Sequence, residues 1–103
     1  MLLRDKDREL LIALAVKTLK TPCEIWAYGS RVDGSAHDGS DLDLVIRTKN
    51  LAPLNALMLQ AFKDAIQTSN IPILVQVLDW ARIPQSFHSN ILKNYAVLKP
   101  LNS

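Results

Sequence analysis

The stretch WAYGSRVDGSAHDGSDLDLVIRT runs from Trp26 to Thr48 and decides how the rest of the chain is read. An apolar run, Glu24 to Tyr28, is halted by Gly29, and Ser30 begins a short helical turn. Asp33 to Ser40 carries two glycines and two aspartates and reads as a loop. Asp41 to Thr48 then alternates as a strand does: Asp41, Asp43 and Val45 share one face, and Leu42, Leu44 and Ile46 share the other, which is the core face. Aspartate is a poor strand former, and like charges on one strand face repel. A sequence that accepts such a local cost places a functional site there.

Outward from this stretch the elements follow by periodicity. Asp5 to Leu19 reads as a helix, with Leu11, Leu14, Ala15 and Thr18 at helical spacing, and Thr21-Pro22 stops it. Pro53 suits the first turn of a second long helix. Its apolar stripe is Leu54, Leu57, Met58, Ala61, Phe62, Ala65 and Ile66, and Ser69-Asn70 closes it. Ile73 to Leu78 is a third strand. Phe87, Ile91 and Tyr95 continue at helical spacing after Pro84, and Ala96-Val97-Leu98 forms a brief last strand. The order αβ(turn)βαβα describes an α/β (α+β) domain, a small mixed sheet flanked by helices, filling residues 1–103 as a single unit. So few strands leave one sheet face partly uncovered.

Composition bounds the function. The chain has 103 residues, 12 Lys and Arg against 10 Asp and Glu, and a net charge of +2 with no basic block, so no nucleic-acid footprint is indicated. No apolar run approaches the roughly 20 residues of a membrane span. No signal-peptide pattern is present. A lone Cys23 excludes an internal disulfide and fits a reducing cytoplasm, where it serves as a small packing residue.

Two carboxylates at i and i+2 on a strand can hold divalent metal between them, and oxygen ligands suit Mg²⁺, which completes its shell with water and substrate phosphates. Glycine lets backbone approach a phosphate closely, and a serine beside it offers N–H and hydroxyl donors. Either piece alone is commonplace, a turn or a solvated strand end. Joined at this spacing they describe a site for metal and a nucleoside triphosphate.

Gly29-Ser30, ten residues, and then Asp41-Leu42-Asp43 resembles the signature of the DNA polymerase β-like nucleotidyltransferase superfamily. Arg31, Gly34 and Ser40-Asp41-Leu42-Asp43-Leu44 bring the sequence close to its minimal nucleotidyltransferase (MNT) group. Members of that group are about this long and partner HEPN-domain proteins in toxin–antitoxin pairs. The resemblance extends over nearly the whole chain, to Val77-Leu78-Asp79-Trp80. It implies transfer of AMP from ATP to a tyrosine of a HEPN ribonuclease toxin, which is thereby silenced. Asp41 and Asp43 would be catalytic and bind Mg²⁺; Gly29, Ser30 and Arg31 would bind the nucleotide. His37 and Asp38 read as solvated loop, and His88 as a surface residue.

One position departs from the superfamily. A third carboxylate is expected on the third strand, and Gln76 stands there. An amide offers an oxygen but neither charge nor a base. Asp79 lies three residues on, and regular alternation turns it to the opposite face. Two readings therefore stay open: an adenylyltransferase antitoxin, and a degenerate subunit that neutralises or assists its helical partner by contact alone. Transfer to a small molecule is disfavoured, because relatives of that kind carry an extra substrate domain. The partner surface is expected around Trp80, Phe87 and Tyr95, and the assembly is expected to be a hetero-oligomer.

Overall fold

The computed structural model describes residues 3–37 and 39–101. Asp38, assigned above to the solvated loop, lies outside the described residues. The elements are α1 (Asp5–Leu19), β1 (Cys23–Tyr28), α2 (Ser30–Asp33), β2 (Leu42–Thr48), α3 (Ala56–Gln67), β3 (Val75–Asp79), a single 3-10 turn (Trp80–Arg82), α4 (Gln85–Lys93) and β4 (Tyr95–Lys99). The four strands form one sheet in the order β3-β2-β1-β4. β1 pairs antiparallel with both β2 and β4, whereas β2 and β3 run parallel. The sheet is mixed and flanked by helices, as the sequence pattern implies.

The core follows from strand alternation. Leu42, Leu44 and Ile46 are fully buried on one face, joined by Ile25 and Ala27 of β1 and Val77 of β3. Leu11, Ala15 and Leu19 of α1 and Phe62 and Ile66 of α3 close over them. Cys23 is buried in this layer as a packing residue.

The opposite face is better covered than four short strands suggest. Val45, assigned to the aspartate face, is fully buried there with Trp26, Trp80 and Ile91. Leu78, Ile83 and Phe87 pack around them. The 3-10 turn and α4 fold back over this half of the face, so Trp80 and half-buried Phe87 are spent on a second small core. Of the aromatic trio expected at a partner surface, Tyr95 alone is exposed, at 40%, beside Leu92 and Val97. Arg47 lies in the same layer, its guanidinium 4.1 Å from the Trp26 ring centre and 4.6 Å from that of Trp80. It pairs with Glu24 at 3.0 Å, while its buried Nε has no acceptor among the described residues. His88, read as a surface residue, stacks on Trp80 with ring centres 3.9 Å apart, and its Nε2 lies 2.6 Å from the Trp80 carbonyl.

Other boundaries shift for local reasons. α3 starts at Ala56 because the Asn55 side chain accepts from the N–H groups of Leu57 and Met58 and caps the helix there. Pro53 and Leu54 thus precede the helix, and Leu57 is 81% exposed rather than on the buried stripe. α4 ends at Lys93, so Tyr95 opens the edge strand β4 instead of continuing the helix. It pairs with Tyr28 and stacks on Trp26, with ring centres 4.0 Å apart.

β2 and β3 pair without a bulge, from Leu42 opposite Val75 to Ile46 opposite Asp79. Asp79 therefore faces the core side, away from Asp43. It is a folding residue. Its carboxylate accepts from Leu54 N at 2.8 Å and Ala81 N at 3.1 Å and pairs with Arg82. One buried side chain thus ties the end of β3 to the approach to α3. Asp79→Ala strands the buried Leu54 N–H and should cost about 2–3 kcal/mol, read as a lower urea midpoint with an unchanged slope.

Candidate functional site

The site is built where β1 ends. Gly29 has φ +78° and ψ −156°, a conformation that L side chains rarely adopt, and its carbonyl accepts from Val32 and Asp33 N–H, each at 3.0 Å. This turns the chain into the single turn of α2, which Gly34 ends with φ +88°. The loop then folds back on α2: Ala36 N donates to the Ser30 carbonyl at 3.1 Å, and Ser40 N to the His37 carbonyl at 2.9 Å. His37 N donates in turn to Ser40 Oγ at 3.1 Å. The loop thus reaches β2 already ordered.

Strand pairing gathers the polar residues. Asp43 lies opposite Tyr28 of β1 and beside Gln76 of β3. Asp41 stands just before β2, and Gln76 Nε2 donates to its Oδ2 at 3.2 Å. Gly29 closes the group from above. A Cβ on Gly29 would fall 2.6 Å from Asp43 Oδ2, so this glycine is required by space as well as by backbone angle. Partial burial, and then the Asp41 charge, push the Asp43 pKa up. Burial, and then Asp43, push the Tyr28 hydroxyl up to about 12. Each effect disfavours negative charge, and no described cation offsets it at Asp43 or Tyr28.

That deficit is the test of fit for a cation. Two carboxylates share a face, one of them disfavoured as an anion by partial burial and by its neighbour's charge, with glycine backbone alongside. The set suits a hard, oxygen-seeking ion such as Mg²⁺ that takes its remaining ligands from phosphates. Among the described residues no third His, Cys, Asp or Glu joins the pair. The structure thus brings Asp41, Asp43, Gly29 and Ser30 to one end of the sheet, with Gln76 beside the carboxylates. The Ser30 hydroxyl makes no hydrogen bond among the described residues. Arg31, expected at the phosphates, is instead 5% exposed, and its Nε and Nη2 both donate to the Ser40 carbonyl, at 2.9 and 2.7 Å. Sequence reasoning did not foresee Tyr28 beside Asp43 or the role of Ser40. The chain between Tyr28 and Leu42 holds α2 and a loop, too long a connection to fix the register that makes the first. A serine in a Gly/Asp-rich loop is too common a signal to reveal the second.

A sequence profile of the family described as Polymerase beta, Nucleotidyltransferase matches residues 11–102. The chain belongs to this family. It is 38% identical over 95 residues to a Haemophilus influenzae protein named "Probable protein adenylyltransferase MntA", covering 91% of this chain and 82% of that protein. Among solved structures, a toxin–antitoxin with AMP-PNP superposes with a TM-score of 0.73 at 16% identity, over 91% of this chain and 73% of the other. That likeness speaks for the fold. No described helix is long and apolar enough to cross a membrane.

The raised pKa of Asp43 carries a sign that can be measured. The folded, metal-free chain holds the Asp43 proton more tightly than the unfolded chain does. The linked stability is complete below the unfolded carboxylate pKa of about 4 and is lost as the pH rises through the folded value. Asp43→Asn, which cannot ionise, should therefore melt higher than the natural protein at pH 7 in EDTA. The advantage should shrink toward zero when the melts are repeated near pH 3.5.

Proposed function

We propose that this chain is a protein adenylyltransferase of the minimal nucleotidyltransferase kind. It would act as an antitoxin in the cytoplasm, transferring AMP from Mg–ATP to a tyrosine of a HEPN-type helical toxin within a hetero-oligomer. The observation that carries the reading is the convergence of Asp41 and Asp43 on one face against the Gly29-Ser30 turn. Membership of the nucleotidyltransferase family and the adenylyltransferase name of the Haemophilus relative support it. Bound Mg²⁺ would neutralise phosphate charge and stabilise the departing pyrophosphate. Asp41 and Asp43 would hold the metal. Gly29 backbone and Ser30 would approach the phosphates. In the reaction a tyrosine oxygen, its proton passing to solvent water, bonds to the α-phosphorus, and the bond from that phosphorus to pyrophosphate breaks. The protein's contribution is positioning and charge.

Gln76 favours a second reading. It lies beside Asp43 on β3, donates its amide to Asp41 and cannot take the tyrosine proton. A chain that binds Mg–ATP and its partner without transfer would neutralise the partner by contact.

The two readings separate in one assay, incorporation of labelled AMP into the co-expressed partner. An active enzyme labels the partner, and Asp41→Asn or Asp43→Asn abolishes the label and weakens Mg–ATP binding in calorimetry. A contact module forms the complex without label. In either case Gln76→Asp should raise transfer, since a well-placed base is worth about 10²–10⁴ in rate. Mg–ATP affinity unchanged in both aspartate variants would overturn the site.

A further inference from the structure

We infer that Arg31 is a positioning residue whose guanidinium clasps the loop ahead of Asp41, so that it governs metal binding through Asp41 rather than by touching phosphate. The inference rests on the metal–nucleotide reading of the site. The two halves of the signature, the Gly29-Ser30 turn and the Asp41-x-Asp43 strand, are separated by ten residues of chain. Arg31 belongs to the first half, and its Nε and Nη2 grip the carbonyl of Ser40, the residue before the second. Burying a guanidinium to 5% exposure is costly unless its donors are used. Here two of them converge on one acceptor in the fork geometry that only arginine presents.

The two aspartates depend on this clasp unequally. Asp43 lies inside β2 and is fixed by pairing on both sides, with Tyr28 and with Gln76. Asp41 lies outside the strand. Its anchors are the Ser40 peptide that precedes it, the Leu42 N–H bonded to the Leu74 carbonyl at 2.9 Å, and the Gln76 amide at 3.2 Å. Release of Ser40 frees the carboxylate of Asp41 and leaves that of Asp43 in place. Groups that orient a metal ligand typically contribute 10–100-fold to metal affinity.

The test is a double-mutant cycle read by nucleotide binding, with Mg–ATP and with ATP in EDTA as the two probes. Arg31→Met should weaken Mg–ATP binding about tenfold while changing metal-free ATP binding less than about twofold. In an Asp41→Asn background the same substitution should add little, because its effect passes through Asp41. A phosphate ligand behaves otherwise: metal-free ATP binding falls along with Mg–ATP binding, and the losses add in the Asp41→Asn background. That result overturns the inference. Arg31→Lys, which keeps the charge and loses the fork, carries the same comparison if Arg31→Met does not fold. It should fall on the weakened side for Mg–ATP.

Amide exchange in the metal-free protein supplies a readout independent of nucleotide. The N–H groups of Ala36, Ser40 and Leu42 should exchange about tenfold faster in Arg31→Lys, with those of β1 unchanged. Unaltered exchange at Ser40 and Leu42 overturns the clasp. If the natural chain binds no Mg–ATP at all, the functional reading above falls, and the clasp stands or falls on this exchange measurement.

Discussion

The antiparallel pairing of β1 with β2, unbroken from Cys23 opposite Thr48 to Tyr28 opposite Asp43, is the constraint on which the structure depends. These two strands occupy the middle of the sheet, and every other element is placed by reference to them. A slip of one residue would send Leu42, Leu44 and Ile46 to the face of the aspartates and turn the aspartates into the core. The register also determines which residue meets the end of β1. Because Tyr28 lies opposite Asp43, the residue after Tyr28 must pass close to the Asp43 carboxylate, and only glycine leaves room for it. The signature glycine and the second signature aspartate are thus one steric unit.

The same geometry explains why the site carries its electrostatic cost. Strand pairing fixes Asp43, and the loop delivers Asp41 close enough for its charge to raise the Asp43 pKa. Gln76 relieves part of this by donating an N–H to Asp41 without bringing another charge. A carboxylate at that position would sharpen the repulsion in the metal-free chain. The amide is the milder neighbour for an unloaded site and the weaker one for chemistry.

Much of this was legible in the sequence because it rests on period-2 alternation and on residues with few conformational choices. The core face of β2 and the outward turn of Asp79 from the site both follow from alternation over a bulge-free strand. Val45 shows the limit. Alternation assigned it correctly to the aspartate face, but only the return of α4 and the 3-10 turn makes that half of the face interior. Tyr95 failed for a related reason. Its spacing from Ile91 is helical, yet an edge position beside Tyr28 and a stack on Trp26 outweigh a local pattern of this kind. Leu57 was misjudged because the stripe was counted from Leu54, which lies ahead of the Asn55 cap, whereas the buried face of α3 centres on Phe62 and Ile66. The bond from Arg31 to Ser40 spans nine residues of loop and leaves no periodic trace.

The second small core has an optical consequence. The protein contains two tryptophans, and both lie in this cluster rather than in the layer between the sheet and helices α1 and α3. The Arg47 guanidinium lies over both indoles, and an imidazole is stacked on one of them. Intrinsic fluorescence therefore reports chiefly on how α4 and the 3-10 turn dock on the sheet, and only through β1 on the Phe62 side of the molecule. An emission change on complex formation would point to a disturbance at the α4 face.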